Sequence, residues 1–126
     1  MASSVTGTTN IVSALFLNDG ANATDENDNI FSGAKTIHVV DINNTHDAAV
    51  YVKLANVTNC SPGTTPADMV LYCPASTRLT YNIIGATGTG VEFGTGVSMW
   101  CVTAAAESNT ADPGTGTVDV KIAASD

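Results

Sequence analysis

Basic residues are scarce: 4 Lys and Arg stand against 12 Asp and Glu in 126 residues, for a formal charge of -8 and a sequence pI near 4.2. Phosphate backbones are gripped by Lys and Arg that displace counterions, so this balance excludes a protein whose task is to coat nucleic acid. No Lys or Arg precedes Lys35, and the one apolar run, residues 11–17, is short and broken by Ser13. It has neither the basic n-region nor the long apolar core of a signal peptide, and it is far below the roughly 20 residues that span a bilayer. The expectation is a soluble chain made in the cytosol, with no membrane partner. Cysteine is sparse and odd in number: Cys60, Cys73 and Cys101, with no Cys-x-x-Cys spacing. Buried thiols are the plain reading. A bridge between Cys60 and Cys73, closing the Pro/Gly-rich loop, is the alternative in an oxidising setting. Four Asn-x-Ser/Thr triplets, at Asn22, Asn43, Asn56 and Asn59, carry little weight without a secretion signal.

What the chain does have is apolar content, 44%, with only 13% charged residues, which suits one domain with a single core and not a disordered chain. Period-two alternation dominates. Val118, Val120 and Ile122 point one way while Asp119 and Lys121 point the other, the pattern of a half-buried strand. Residues 36–43 and 48–56 are β-branched and apolar, and the Asn-Asn-Thr-His-Asp stretch between them has turn chemistry, so they read as a β-hairpin. In its second arm Val50, Val52 and Leu54 share a face opposite Tyr51 and Lys53. Further strands are predicted at 68–73, 78–83, 96–103, 11–17 and, as a short piece, 91–93. In the 96–103 strand Ser98, Trp100 and Val102 oppose Val97, Met99 and Cys101, and both sets suit a core. Ser61-Pro62-Gly63, Pro66, Pro74, the glycines of 85–96 and Asp112-Pro113-Gly114 punctuate the chain and forbid long helices. Only the alanines of 102–107 would allow a single helical turn. The fold predicted is all-β, an antiparallel sandwich of jelly-roll or immunoglobulin-like type with about seven or eight short strands. Residues 18–29 are acidic and almost without apolar side chains, which divides the chain into an N-terminal arm and acidic loop, 1–32, and a sandwich body, 33–126. An apolar strand on such a tether either closes its own sheet or adds to the edge of a neighbour's.

Candidate chemistry is thin. The acidic run Asp25, Glu26 and Asp28 fails the calcium-loop pattern because Ile30 stands where glycine is required, so no metal is expected. His38 lies among apolar strand residues and His46 in a turn. Pairing either with Asp41 or Asp47 gives a base without a nucleophile in a recognisable motif. Gly85 to Gly90 lacks the Lys-Ser/Thr of a phosphate cradle, and no cofactor is expected.

Val50-Tyr51-Val52-Lys53-Leu54, Cys73-Pro74-Ala75-Ser76-Thr77, the Phe93-Gly94-Thr95-Gly96-Val97-Ser98 strand, the alanine- and acid-rich stretch 104–112 and the closing Thr117-Val118-Asp119-Val120-Lys121-Ile122 together resemble the short all-β virion proteins of tailed bacteriophages. The resemblance covers about residues 36–123 and rests on turns and core positions. It implies a non-enzymatic structural role. The leading expectation is a capsid decoration, or cement, protein on the outer surface of the head, with the major capsid protein and further copies of itself, as dimer or trimer, for partners. In that setting the arm residues Ile11, Val12, Leu15, Phe16 and Leu17 are the expected contact, by strand addition or apolar anchoring. A tail or fibre module that binds glycan through Trp100 or the tyrosines is the alternative, and a small hydrolase the third.

Overall fold

A computed structural model describes residues 14–19, 26–84, 90–114 and 117–126, with Phe16 the one side chain described in the first of these segments. Eight strands follow in order: β1 (Ala14–Asp19), β2 (Lys35–Asn44), β3 (Val50–Ala55), β4 (Met69–Cys73), β5 (Thr77–Asn82), β6 (Val91–Phe93), β7 (Ser98–Val102) and β8 (Val118–Ser125). All pairings are antiparallel. The larger sheet runs β1-β8-β2-β5, with β6 beside the first residues of β2, and the smaller runs β4-β3-β7. The all-β sandwich read from the sequence is the fold, and no described residue is helical, including 102–107.

The core lies between the sheets. Ile37, Val40, Ile42, Val118, Val120, Ile122 and Ala124 come from the larger sheet, and Val50, Val52, Leu54, Leu71, Cys73, Met99 and Cys101 from the smaller. β8 buries alternate residues, as its pattern requires. β2 does not: its buried positions step from Ile37 to Val40 and then to Ile42 and Asn44. The register against β8 shifts between Ile37 and Val39, leaving His38 as the extra residue of a bulge that moves the inward face from odd to even positions. Gly90 fits against that bulge. Its φ is +103°, and a Cβ there would stand 2.5 Å from the Ile37 carbonyl.

The predicted hairpin of 36–43 with 48–56 does not form. β2 is flanked by β8 on one side and by β5 and β6 on the other, while β3 lies in the opposite sheet between β4 and β7. The turn-like residues 45–49 carry the chain across the sandwich, so β2 and β3 face each other through the core. The crossing is fastened by Asn44, buried at the end of β2. Its Nδ2 donates to the carbonyls of Ala48 (3.0 Å) and Pro74 (2.9 Å), and more distantly to that of Cys73 (3.4 Å), while its Oδ1 accepts from the His46 N–H (2.9 Å). One amide thereby ties the β2–β3 crossing to the β4–β5 crossing at the same end of the sandwich.

A second, smaller cluster covers the outer face of the smaller sheet. Ala55, Cys60, Trp100 and Val102 pack there with Tyr51, Val57 and Ala67. Lys53, on the face opposite Val52 and Leu54, is fully buried among the described residues because the 103–109 loop crosses over it, and its Nζ donates to the Ala106 carbonyl at 2.8 Å. β7 is therefore buried on both faces. The three thiols are free and buried, so the Cys60 to Cys73 bridge is not made.

Candidate functional site

The hydrogen-bond direction along each strand decides which strand edges are satisfied within the body. In the smaller sheet, Met99 on β7 exchanges backbone hydrogen bonds with Asn27, at 2.9 Å in both directions, and the Val97 carbonyl accepts from Ile30 N–H at 2.9 Å. Met99 thus points its peptide groups away from β3. Antiparallel ladders alternate, so Trp100, opposite Lys53, bonds to β3, and Lys53 spends its peptide groups on β7. The even residues of β3, Val50, Val52 and Leu54, then bond to Cys73, Leu71 and Met69 of β4. What remains, pointing outward from β4, are the peptide groups of Val70 and Tyr72. The Tyr72 carbonyl accepts the Tyr81 hydroxyl, as this direction requires. Among the described residues the Val70 N–H and C=O and the Tyr72 N–H have no such partner.

The β7 rim is sealed by the segment 27–30, and Asp28 and Asn29 hold that segment in place. The Asp28 carboxylate accepts the Cys60 N–H at 2.7 Å, and the Asn29 N–H donates to Ser98 Oγ at 3.1 Å. The described part of the acidic loop is structural in this sense. The β4 rim bears apolar side chains: Val70 and Tyr72 are each 44% exposed, and Tyr72 tilts against Tyr51 at 5.4 Å between ring centroids. Ile84, just beyond β5, is the third large apolar side chain exposed among the described residues.

Of the arm residues expected to make contacts, Ile11 and Val12 lie outside the described residues. Leu15 and Leu17 occupy β1 positions paired with Ala123 and Lys121 of β8, and Phe16 is paired with Ile122. The Phe16 ring is half-buried against the core, edge-on to Phe31 at 6.4 Å. β1 therefore closes its own sheet through β8 and stands as that sheet's terminal strand, with its other edge open among the described residues.

The titratable groups are engaged with one another in ways the sequence did not indicate. Asp41 faces Arg78 and Thr80 across β2 and β5, accepting from Arg78 Nη2 and from Thr80 Oγ1, both at 2.8 Å. The Arg78 hydrogen bonds hold its carboxyl below the usual range, so Asp41 is spent on an ion pair and is no partner for either histidine. His46 Nδ1 lies 3.6 Å from the exposed carboxylate of Asp47. His38 Nε2 lies 2.6 Å from Ser125 Oγ, a pairing across β2 and β8 that no local motif announces. Burial pushes the thiols of Cys60 and Cys101 up to about 12, with Asp28 and Asp112 adding to the effect at each, so both are protonated and unreactive near neutrality. Trp100 is 1% exposed, its Nε1 without a hydrogen-bond partner among the described residues, and it offers no face for a sugar. A cleft of about 160 Å³ opens between Asn56, Asp68, Met69, Val91, Glu92 and Phe93. Among the described residues no cluster of His, Cys, Asp and Glu is placed to hold a metal ion.

What the arrangement supports is contact through strand edges and the apolar side chains beside them. Compared with known proteins, the chain matches no family model, no curated protein and no solved structure.

Proposed function

We propose that this chain is a capsid decoration protein of a tailed bacteriophage, seated on the outer surface of the head through contacts with the major capsid protein. The observation that carries the reading is the rim of β1, open among the described residues. A strand held by one neighbour, with Phe16 anchored in its own core, presents its other edge to an incoming strand. Strand addition of this kind takes affinity from main-chain hydrogen bonds and needs no charged residue from the partner. The acidic balance of the chain suits a position outside the shell, away from the packaged nucleic acid. The resemblance of residues 36–123 to short virion proteins points the same way. A protein that binds only the assembled shell stabilises it by mass action, which is the physical content of cementing.

The test is quantitative mass spectrometry of purified virions from the phage that encodes the chain, normalised to the major capsid protein. The result expected is one copy per one or a few capsid subunits. A handful of copies per particle, or none, overturns the proposal. The former outcome favours a tail or fibre position, where exposed Tyr72 with half-buried Tyr51 beside it, Trp100 being excluded, would be the surface to screen against glycans.

A further inference from the structure

We propose that the β4 edge is a docking site for a second copy of this chain, the two β4 strands pairing antiparallel about a two-fold axis at Leu71, so that two three-stranded sheets become one continuous sheet. The inference rests on the edge geometry and the distribution of charge, and stands or falls apart from the capsid assignment.

The outward peptide groups belong to Val70 and Tyr72, one residue on either side of Leu71. In a pairing centred on Leu71, the Val70 N–H meets the partner's Tyr72 carbonyl and the Tyr72 N–H meets the partner's Val70 carbonyl, and the two-fold repeats both bonds. The Tyr72 carbonyl has a second lone pair for this beside the one the Tyr81 hydroxyl uses. Side chains match in the same register. Val70 lies beside the partner's Tyr72 on the outer face, an aromatic and β-branched cross-strand pair. Pro74, which has no N–H to offer, falls where the pairing ends, opposite the partner's Asp68.

Charge selects a second copy as the occupant. Each copy carries -8, so like copies repel wherever their charged faces meet. β4, Met-Val-Leu-Tyr-Cys, and β7 are the two strands without a charged residue, and β7 is buried throughout. β4 is thus the one terminal strand on which two acidic copies can meet with no charged side chain in the strand itself; β5, terminal in the larger sheet, has no carboxylate but carries Arg78. β4 also lacks the Lys, interior Pro and inward charge by which edge strands usually discourage pairing. The other rim of the same sheet is closed by residues 27–30, which leaves β4 as the sheet's open side among the described residues.

The experiment is sedimentation equilibrium of the full chain over a concentration series up to about 1 mM, the weak limit for a specific contact, together with amide hydrogen exchange at both ends of the series. The expected result is a monomer–dimer equilibrium between 12.8 kDa and twice that mass. Dimerisation should tighten several-fold as NaCl rises from about 20 to 500 mM and screens the like charges. The Val70 and Tyr72 amides gain protection with concentration while the Val52 amide, already bonded within the sheet, does not change. Val70→Lys, at an exposed position, should weaken the dimer at least tenfold, and Val70→Thr should retain it. A monomer throughout, a cyclic trimer, or a dimer whose Val70 and Tyr72 amides exchange no more slowly than in the monomer overturns the proposal. The exchange measurement decides the matter in the unmodified chain even if Val70→Lys folds poorly.

Discussion

Asn44 is the polar group on which the crossing between the sheets depends, and removing it has a calculable cost. Its side chain is 1% exposed. Two close donations, to Ala48 and Pro74, and one acceptance, from His46, are lost in Asn44→Ala. At about 1 kcal/mol net for each, the substitution costs about 3 kcal/mol, a large share of a typical domain's total stability. With an unfolding entropy of about 2.1 cal/mol/K per residue over 126 residues, that lowers Tm by about 11 °C. Asn44→Asp separates the hydrogen bonds from the volume. A carboxylate retains the His46 bond but turns an anion toward the carbonyls of Ala48, Cys73 and Pro74, so at pH 7 it should cost more than alanine. Repulsion and burial raise its native pKa, so stability is retained below the unfolded value of about 3.9 and lost as pH rises through the native one. Urea titration followed by fluorescence of Trp100, the sole and buried tryptophan, reads both variants. An alanine variant within about 1 kcal/mol of wild type, or an aspartate variant milder than alanine at pH 7, would refute the reasoning.

Two further outcomes follow from buried titratable groups. Burial lowers the pKa of Lys53 and Glu107 pulls it back, so the native state disfavours the ammonium at neutral pH and recovers as pH rises toward 10.5. Lys53→Met, of similar volume, should therefore be more stable than wild type by about 1 kcal/mol at pH 7 in urea titration, and the gap should narrow toward pH 10.5. Cys60 and Cys101 act with the opposite slope: their thiols ionise at 9.0 when unfolded and at about 12 when folded, so the stability present below 9 is lost between 9 and 12. At pH 10 the loss is about 1 kcal/mol per thiol, burial shifts Cys73 in the same direction, and Cys101→Ala should therefore shrink but not abolish the decline read by the same titration between pH 8 and pH 10.

Faces were legible in the sequence and edges were not. β8 alternates cleanly because one face meets the core and the other water, and β7 declared itself apolar on both faces because two clusters flank it. Alternation says which way a side chain points but is silent on which strand lies alongside, and for that reason β2 and β3 read as a hairpin although they oppose each other through the core. The burial of Lys53 was illegible for a related reason. A charged residue opposite Val52 and Leu54 signals solvent, and only the tertiary path of the 103–109 loop puts a cover over it. The same limit applies to the site. Met69–Cys73 is an unbroken apolar strand, which in sequence resembles a strand buried on both faces. Its half-exposed rim becomes visible only once β3 is seen to have β7 as its other neighbour. The His38–Ser125 pair is separated by 87 positions and has no local signature at all.

Two of the edges open among the described residues lie in different sheets, β1 in the larger and β4 in the smaller, and this separation gives them a joint consequence. A strand added to β1 extends the larger sheet, while a copy added to β4 extends the smaller one, so neither occupies the other's rim. On the reading proposed above, a β4-linked pair would carry two β1 edges to a surface that repeats its own binding site. A contact too weak to hold one copy is then reinforced by the second, by roughly 10²–10⁴ where both engage together. Val70→Lys, which leaves β1 untouched, should accordingly lower retention on purified shells far more than it alters the folded monomer. Cosedimentation with shells stripped of the protein measures this. Equal retention of wild type and variant would mean that the copies bind one by one, and that the β4 edge contributes nothing to occupancy of the shell.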